Sequence, residues 1–301
     1  MKTVKIFHSI LSRGGDMMHN KTAAGCCDLH THSVFSDGSY TPLQIIDGAI
    51  AAGLSAVALT DHNTVDGLPD FLAAASGKPI DVVAGAEFSV DYNQRELHLL
   101  GLFIPPTQFG AVTALMEDVN RRKEASNVAL VDSLCRAGYP LDYAAIKATT
   151  PNGRINRAHV ARAMVEKGYV GSVSEAFDTL LSKSAGHYAE PKRLTVEEAV
   201  AFIRSIGAVP VLAHPFLNLT EQELVAFLRT DPGLCGMECY YATYDEATTV
   251  ASLRIAEAFG LARSGGSDFH GTTKPDIRLG CGRGGLQVPY DCYLTLKRLA
   301  R

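Results

Sequence analysis

Side chains that can bind metal ions recur along this sequence, each in or beside a segment with the pattern of a β-strand. The first segment, Asp28-Leu29-His30-Thr31-His32, carries two histidines that are two residues apart. In an extended strand such histidines leave the same face, with Cα atoms about 7 Å apart. Two imidazoles in that arrangement can bind one cation. The complete set of candidate ligands is His30, His32, Asp37, His62, Glu87, His98, His214, Asp268 and His270.

Short strands alternate with helical patterns along most of the chain, which is typical of a mostly parallel α/β sheet or barrel. The strands are predicted at residues 26–32, 55–60, 81–90, 97–104, 208–213, 236–241 and 261–265. Capping boxes predict that helices begin after Thr41, Thr195 and Thr220, because each threonine is followed three residues later by Gln or Glu. The candidate ligands lie at or near the carboxyl ends of the strands. Because those ends meet at one face of a barrel, the side chains should converge there.

The number and the types of the candidate ligands indicate a cluster of cations. A single zinc ion takes only about three or four protein ligands, so nine candidates predict two or three ions that share a bridging carboxylate. Mixed imidazole and carboxylate ligands suit Mn, Fe or Zn better than Ca. The alternative is that these residues are ordinary buried polar groups, which would leave many of them without partners in the interior, at a high cost in free energy.

The composition excludes several classes of protein. Of 301 residues, 47% are hydrophobic and 20% are charged, which excludes a disordered or fibrous chain. No window approaches the roughly 18 uninterrupted apolar residues of a membrane-spanning helix, so we expect no membrane association. The net charge of −4 argues against a broad nucleic-acid-binding surface. Seven cysteines, an odd number, do not indicate a disulfide framework. We expect a cytoplasmic protein, and we expect no obligate protein partner.

The middle of the chain breaks the alternation of strands and helices. A long helical pattern covers residues 107–138, and shorter ones cover 158–167 and 173–182. We therefore predict a helical insertion at 105–190 that forms a lid over the substrate, within a metal-binding barrel made of residues 25–104 and 191–301. Residues 1–24 are predicted to be a flexible extension.

Six motifs occur in an order that resembles the PHP (polymerase and histidinol phosphatase) family. The resemblance covers residues from about 26 to 275. It implies a distorted seven-stranded β/α barrel, a three-metal centre and hydrolysis of phosphoesters. The motifs are Asp28-Leu29-His30-Thr31-His32, Ser36-Asp37-Gly38, Thr60-Asp61-His62-Asn63-Thr64, Gly85-Ala86-Glu87, Ala213-His214-Pro215 and Gly266-Ser267-Asp268-Phe269-His270-Gly271.

The same resemblance implies which side chains share each ion. One ion would be held by His30, His32, Glu87 and Asp268, a second by Glu87, His98 and His214, and a third by Asp37, His62 and His270. The implied cofactors are three divalent ions per chain, which could be Mn, Fe, Zn or Mg. We also expect Asp268 and His214 to act in catalysis.

One segment narrows the resemblance to a branch of the family. Gly153-Arg154-Ile155-Asn156-Arg157-Ala158-His159 is similar to the lid of the branch that includes nucleoside 3′,5′-bisphosphate phosphatases. Because guanidinium groups bind phosphate oxygens in pairs, Arg154 and Arg157 are expected to contact substrate, together with His159. The implied reaction is removal of the 3′-phosphate of a nucleoside 3′,5′-bisphosphate by a metal-bridging hydroxide, which leaves an AMP-like product.

Other activities stay open at this point. A histidinol-phosphate or other small-metabolite phosphatase would use the same metal set, although the arginines of the insertion favour a nucleotide. Some members of the branch are 5′-to-3′ exoribonucleases, so short RNA is another candidate substrate. An amidohydrolase acting on C–N bonds would need a lysine among the ligands, and a non-catalytic binding module would be expected to have lost some of the nine.

Overall fold

The computed structural model describes residues 25–149 and 155–300. The predicted extension at 1–24 and the candidate substrate contact Arg154 lie outside the described residues. The strands are β1 (Cys26–Asp28), β2 (Ala56–Leu59), β3 (Asp81–Tyr92), β4 (Arg95–Leu102), β5 (Leu194–Thr195), β6 (Val209–Leu212), β7 (Gly236–Tyr241), β8 (Ala262–Gly266) and β9 (Val288–Pro289). The α-helices are α1 (Pro42–Ala51), α2 (Leu68–Ala75), α3 (Phe109–Arg136), α4 (Tyr143–Ala148), α5 (Arg157–Glu166), α6 (Val173–Asp178), α7 (Val196–Ser205), α8 (Glu221–Leu228), α9 (Glu246–Ala258) and α10 (Tyr290–Leu299).

The strands form one mixed sheet in the order β8-β7-β6-β4-β3-β2-β1-β9, with β5 beside β3. Among the described strands, β5 and β9 have two residues each, and the longer ones make up the predicted distorted seven-stranded barrel. Strand β4 runs antiparallel to both of its neighbours, whereas the other long strands pair in parallel, as expected for a mostly parallel barrel. The cause is a two-residue turn after Tyr92, in which Asn93 and Gln94 both have positive φ angles. Such a turn can join only antiparallel strands.

Backbone hydrogen bonds close the barrel between the segment that follows β1 and the end of β8 with the residues after it. The N–H of Leu29 donates to the carbonyl of Gly265 at 3.0 Å, and the N–H of Asp268 donates to the carbonyl of His30 at 2.9 Å. The buried carboxylate of Asp28 accepts hydrogen bonds from the N–H and the hydroxyl of Ser267 at 2.8 and 2.5 Å. These contacts fix two ligand-bearing segments against each other.

A substitution at Gly266 tests this closure. A Cβ atom at Gly266 would overlap the backbone and the Cβ of His30. We expect Gly266→Ala to lower the free energy of unfolding by about 1–3 kcal/mol, measured by chemical denaturation. The matched control is Gly110→Ala in the exposed first turn of α3, where a new Cβ meets no atom within 4 Å. That variant should be neutral or more stable by about 0.5–1 kcal/mol. Equal stability of the two variants would contradict the close approach at Gly266.

The three helices whose starts were predicted from capping boxes begin at those positions. Thr41, Thr195 and Thr220 all form capping boxes, at the starts of α1, α7 and α8. Helix α3 matches the long predicted helix, whereas α6 ends at Asp178, four residues before the predicted boundary at 182. None of the described helices is both long and apolar enough to cross a lipid bilayer.

The helices between β4 and β5 have a core of their own. Two clusters of buried apolar side chains pack on either side of the barrel sheet, and a third cluster joins α3, α4, α5 and α6. Buried members of the third cluster run from Leu130 to Leu181. This arrangement suits the predicted insertion at 105–190, whose boundaries stay a prediction.

Candidate metal centre

The candidate ligands come from several elements that end or pass at one face of the barrel. Strand β1 ends at Asp28, so His30 and His32 lie just after the strand and not inside it as predicted. Glu87 is in the middle of β3 and not at its end, because β3 continues as a hairpin with β4. In that hairpin His98 pairs with Ser89, two residues from Glu87, so His98 and Glu87 share a face of the sheet.

Glu87 lies at the centre of the cluster and is completely buried. One carboxylate oxygen, Oε1, lies 2.7 Å from Nδ1 of His98 and 3.0 Å from Nε2 of His214. The other oxygen, Oε2, lies 3.0 Å from Nδ1 of His62, and it also contacts Nε2 of His30 and of His32 at 3.2 and 3.3 Å. The Glu87 carboxylate thus connects five of the candidate histidines.

Asp268 and Asp37 complete the cluster on two other sides. Oδ1 of Asp268 lies 3.1 Å from Nε2 of His32 and 3.4 Å from Nδ1 of His270. Asp268 has a φ angle of 53°, in the left-handed region that ordinary residues adopt rarely. Oδ1 of Asp37 lies 3.2 Å from Nε2 of His270, and Oδ2 lies 3.8 Å from Nε2 of His62. The closing hydrogen bonds of the barrel and the turn at Asp37 thus direct both carboxylates toward the histidines.

All nine predicted ligands are therefore brought together. Donor atoms within 4.8 Å of one another define four overlapping groups: His32-Asp37-His62-His270, His30-His32-Asp268, His30-Glu87-His214 and His62-Glu87-His98. The first group contains the whole predicted set of Asp37, His62 and His270. The assignment of ligands to individual ions stays a prediction.

The chemistry of these donors fits divalent cations. Nε2 of His30 and Nε2 of His32 face each other at 3.0 Å, although two neutral ring nitrogens that both present lone pairs do not attract each other. Within the described residues, His32 Nδ1 and His214 Nδ1 are buried without a hydrogen-bond partner. Buried polar atoms without partners are costly, and a cation placed among them would satisfy them.

Electrostatic coupling within the cluster keeps its carboxylates ionised. Burial alone would raise the pKa of Asp268, but the imidazoles of His30 and His32 lower it well below the usual value for aspartate. Burial alone would also raise the pKa of Glu87, but the neighbouring imidazoles hold it well below the usual value for glutamate. Burial alone would lower the pKa of His98, but the carboxylates of Glu87 and Glu96 raise it to about 10. The negative charge that cations require is therefore present near neutral pH.

Sequence reasoning missed several residues that hold the ligands in place. Asp61 accepts hydrogen bonds from the N–H of Ser33 at 2.7 Å and from the hydroxyl of Ser36 at 2.6 Å, which shapes the turn before Asp37. The Oδ2 atom of Asp268 accepts from the hydroxyl of Tyr241 and the ammonium of Lys274, both at 2.7 Å. Nothing in the sequence pattern distinguished Lys274.

Glu238 is another residue that sequence reasoning missed. It lies in β7, within Gly236-Met237-Glu238-Cys239-Tyr240-Tyr241, and it is completely buried. Its position as the charged residue of an otherwise apolar or aromatic strand was the available signal, because charged residues are rarely buried without a partner.

A cleft of about 1260 Å³ opens beside the cluster. Asp37, His62 and His98 lie at one end, and residues of α3, α4 and α5 form the opposite wall. That wall carries three cationic side chains and the predicted contact His159, and these residues are Lys123, Arg162, Lys167 and His159. Burial and the nearby Arg162 lower the pKa of His159. The same wall also carries the acidic residues Glu124, Asp142 and Glu166, so it offers cationic groups without a net positive charge.

Arg157 occupies a different environment from His159. Its guanidinium carbon lies 4.3 Å from the ring centre of Tyr188 and 5.5 Å from that of Phe177. Arg157 is not among the residues that line the cleft in the described part of the chain. The proposed roles of Arg157 and His159 in substrate binding stay predictions.

Comparison with known families and proteins identifies similar sequences. Residues 28–204 match the model of the PHP domain, which is more than half of the chain. A 5′-3′ exoribonuclease from Haemophilus influenzae is 32% identical over 249 residues, which cover 81% of this chain and 89% of that protein. A 3′,5′-nucleoside bisphosphate phosphatase from Chromobacterium violaceum is 32% identical over 248 residues, which cover 81% of this chain and 86% of that protein.

Two solved structures have a similar fold. A protein from Bifidobacterium adolescentis, assigned as a metal-dependent phosphoesterase, superposes with a TM-score of 0.71 at 25% identity and covers 93% of this chain and 98% of its own. A protein from Chromobacterium violaceum, described as an amidohydrolase with bound sulfate and no metal, also has a TM-score of 0.71, at 27% identity. That alignment covers 91% of this chain and 97% of the other.

Proposed function

Because the chain belongs to the PHP domain family and is a metal-dependent phosphoesterase, we propose that it removes the 3′-phosphate of a nucleoside 3′,5′-bisphosphate. The single observation that carries this proposal is that Asp37, His62 and His98 of the cluster line the same cleft as three cationic side chains of the helices, Lys123, Arg162 and Lys167. A nucleoside bisphosphate has two phosphate groups, and these two features could receive one group each.

The nine clustered residues would hold the divalent cations, three by our proposal. Bound there, such cations would neutralise the charge of a phosphate group and lower the pKa of water. The chain itself contributes fixed positions for the donors. Asp268 is the proposed catalytic carboxylate, because hydrogen bonds from Tyr241 and Lys274 hold its Oδ2 while its Oδ1 faces His32. His214 is the second proposed catalytic residue, and its Nε2 lies against Glu87.

The lid side of the cleft would bind the second phosphate. Guanidinium and ammonium groups form charge-assisted hydrogen bonds with phosphate oxygens, and Arg162, Lys123 and Lys167 line that wall. The similar structure from Chromobacterium violaceum contains bound sulfate, an anion with the shape of phosphate. In this proposal residues 105–190 form the substrate lid.

A substrate-profile assay tests the proposed function. Phosphate release would be measured with added Mn²⁺ from nucleoside monophosphates, nucleoside 3′,5′-bisphosphates, histidinol phosphate and short RNA. We expect the highest kcat/KM for a 3′,5′-bisphosphate, with the 5′-monophosphate as product. Absence of phosphate release from every nucleotide would contradict the proposal.

A second candidate function is 5′-to-3′ trimming of short RNA. The cleft volume of about 1260 Å³ exceeds the roughly 300–1,000 Å³ of ordinary small-molecule sites, so more than one nucleotide would fit. The exoribonuclease from Haemophilus influenzae, which is 32% identical, also supports this candidate. Stepwise shortening of an end-labelled oligoribonucleotide would establish it.

A substitution at Arg162 tests the contribution of the cationic side chains of the cleft wall. We expect Arg162→Met to lower kcat/KM for a nucleoside 3′,5′-bisphosphate by about 10- to 100-fold, since a hydrogen bond to a charged group contributes about 1.5–3 kcal/mol. The loss should be much smaller with an aryl phosphate, which has no second phosphate. The control is Arg121→Met on α3, a largely exposed side chain outside the residues that line the cleft. Equal losses on both substrates would contradict a phosphate-binding role for Arg162.

A further inference from the structure

Glu238 contacts two candidate ligands, yet it belongs to none of the four donor groups. Its Oε1 lies 3.1 Å from Nδ1 of His30. Its Oε2 accepts a hydrogen bond of 2.7 Å from the backbone N–H of His214. Both oxygens of a completely buried carboxylate are therefore occupied, each by a residue of the candidate metal centre.

The contact with His30 determines which ring nitrogen carries a proton. An ionised carboxylate can only accept hydrogen bonds, so Nδ1 of His30 must donate. A neutral imidazole then has its lone pair on Nε2. That atom faces the centre of the cluster, 3.2 Å from Oε2 of Glu87 and 3.6 Å from Oδ1 of Asp268. Glu238 thus favours the tautomer of His30 that can bind a cation.

The contact with His214 stabilises an uncommon backbone conformation. His214 has a φ angle of 26° and a ψ angle of 55°, in the left-handed region that is costly for a residue with a side chain. The ladder between β4 and β6 extends to Ala213, whose N–H donates to His98. The N–H of His214 is the next donor along the chain, and it points to Glu238. This bond holds the turn that brings Nε2 of His214 to 3.0 Å from Glu87.

We propose that Glu238 is a positioning residue, which sets the tautomer of His30 and the backbone of His214 so that both can bind cations. The inference rests on the proposed metal centre. A role in stability alone would not call for a charge, because burying a carboxylate costs more than burying a neutral group of the same shape. A carboxylate is required here because it offers an acceptor at both ends.

The Glu238→Gln variant separates these roles, because an amide has the same size but offers an acceptor at one end only. If its oxygen faces His214, its NH₂ group faces Nδ1 of His30 and moves the ring proton to Nε2. If its oxygen faces His30, two donors meet at His214. In either orientation we expect the affinity for Zn²⁺ to fall by about 10- to 100-fold, as is common when a residue that orients a metal ligand is replaced.

The experiment is a Zn²⁺ titration against a competing chelator, with ¹⁵N NMR of the imidazoles in the Zn²⁺-loaded chain. In the wild type, His30 should carry its proton on Nδ1. The matched control is Asp81→Asn at the start of β3. This substitution removes a carboxylate that accepts a hydrogen bond from the hydroxyl of Tyr290. That control should bind Zn²⁺ with wild-type affinity, and circular dichroism would verify the fold of each variant.

Two results would overturn the inference. One is wild-type Zn²⁺ affinity in a folded Glu238→Gln variant, and the other is an unprotonated Nδ1 of His30 in the wild type. The second measurement needs no variant, so it decides the matter even if the substitution prevents folding. A wild-type chain that binds no Zn²⁺ would instead overturn the proposed metal centre, and the inference with it.

Discussion

The Asp268→Asn variant should lose hydrolytic turnover by at least about 10³-fold while it keeps its fold. Asp268 is an ionised, buried carboxylate that faces His30 and His32 through Oδ1 and accepts from Tyr241 and Lys274 through Oδ2. Asparagine has no charge and only one acceptor, so it cannot make both sets of contacts. The measurement is kcat for a nucleoside 3′,5′-bisphosphate with saturating Mn²⁺.

The control for this variant is Asp132→Asn, at an exposed position of α3. It should have wild-type turnover. An Asp268→Asn variant that keeps more than about a tenth of wild-type turnover would contradict the catalytic role. If the chain were instead a binding module without activity, Asp268→Asn would change its stability or its metal affinity, and the wild type would show no turnover to lose.

The Glu87→Gln variant should lose most of its bound cations and all measurable activity. Glu87 contacts His30, His32, His62 and His98 as well as His214, so its removal affects every part of the centre except the side that Asp37 forms. We expect the metal content to fall below about one ion per chain, because the bridging oxygens and their charge are lost together. Elemental analysis of the purified, dialysed chain measures this.

The same variant should be destabilised when no cation is present. Removing one partner of a buried ionic contact costs about 3–5 kcal/mol, because the other partner keeps an uncompensated charge. For Glu87 the remaining partners are imidazoles such as His98, whose pKa of about 10 depends on nearby carboxylates. Chemical denaturation in chelator would measure the loss. The control is Glu117→Gln, an exposed residue of α3, and equal stability and metal content of the two variants would contradict the central role of Glu87.

The local elements of the barrel could be predicted from sequence because their signals are local. The three threonine capping boxes begin helices as predicted, and six of the seven predicted strands overlap the observed ones closely. The first strand is shorter than predicted, because after Asp28 the chain turns to form the closing contacts with the segment after β8. The antiparallel direction of β4 depends on the turn at Asn93 and Gln94, which no Gly or Pro marks.

The clustering of the nine candidate ligands was predictable for a different reason. Histidines and acids beside successive strands must converge if the strands form a barrel, so the nine residues could be identified without coordinates. The residues that support them could not, because their partners are distant in sequence. Glu238 is 208 residues from His30, and only the order of strands in the sheet brings the two together. Arg162 likewise lines the cleft only because of how the helices pack, which the sequence does not specify locally.

The most direct test of the account is an anomalous difference map from a crystal of the wild-type chain grown with Mn²⁺. We expect two or three peaks among the nine side chains, with Glu87 between two of them. A map without peaks there at saturating Mn²⁺, with His30 and His32 still facing each other across about the same short distance, would contradict it.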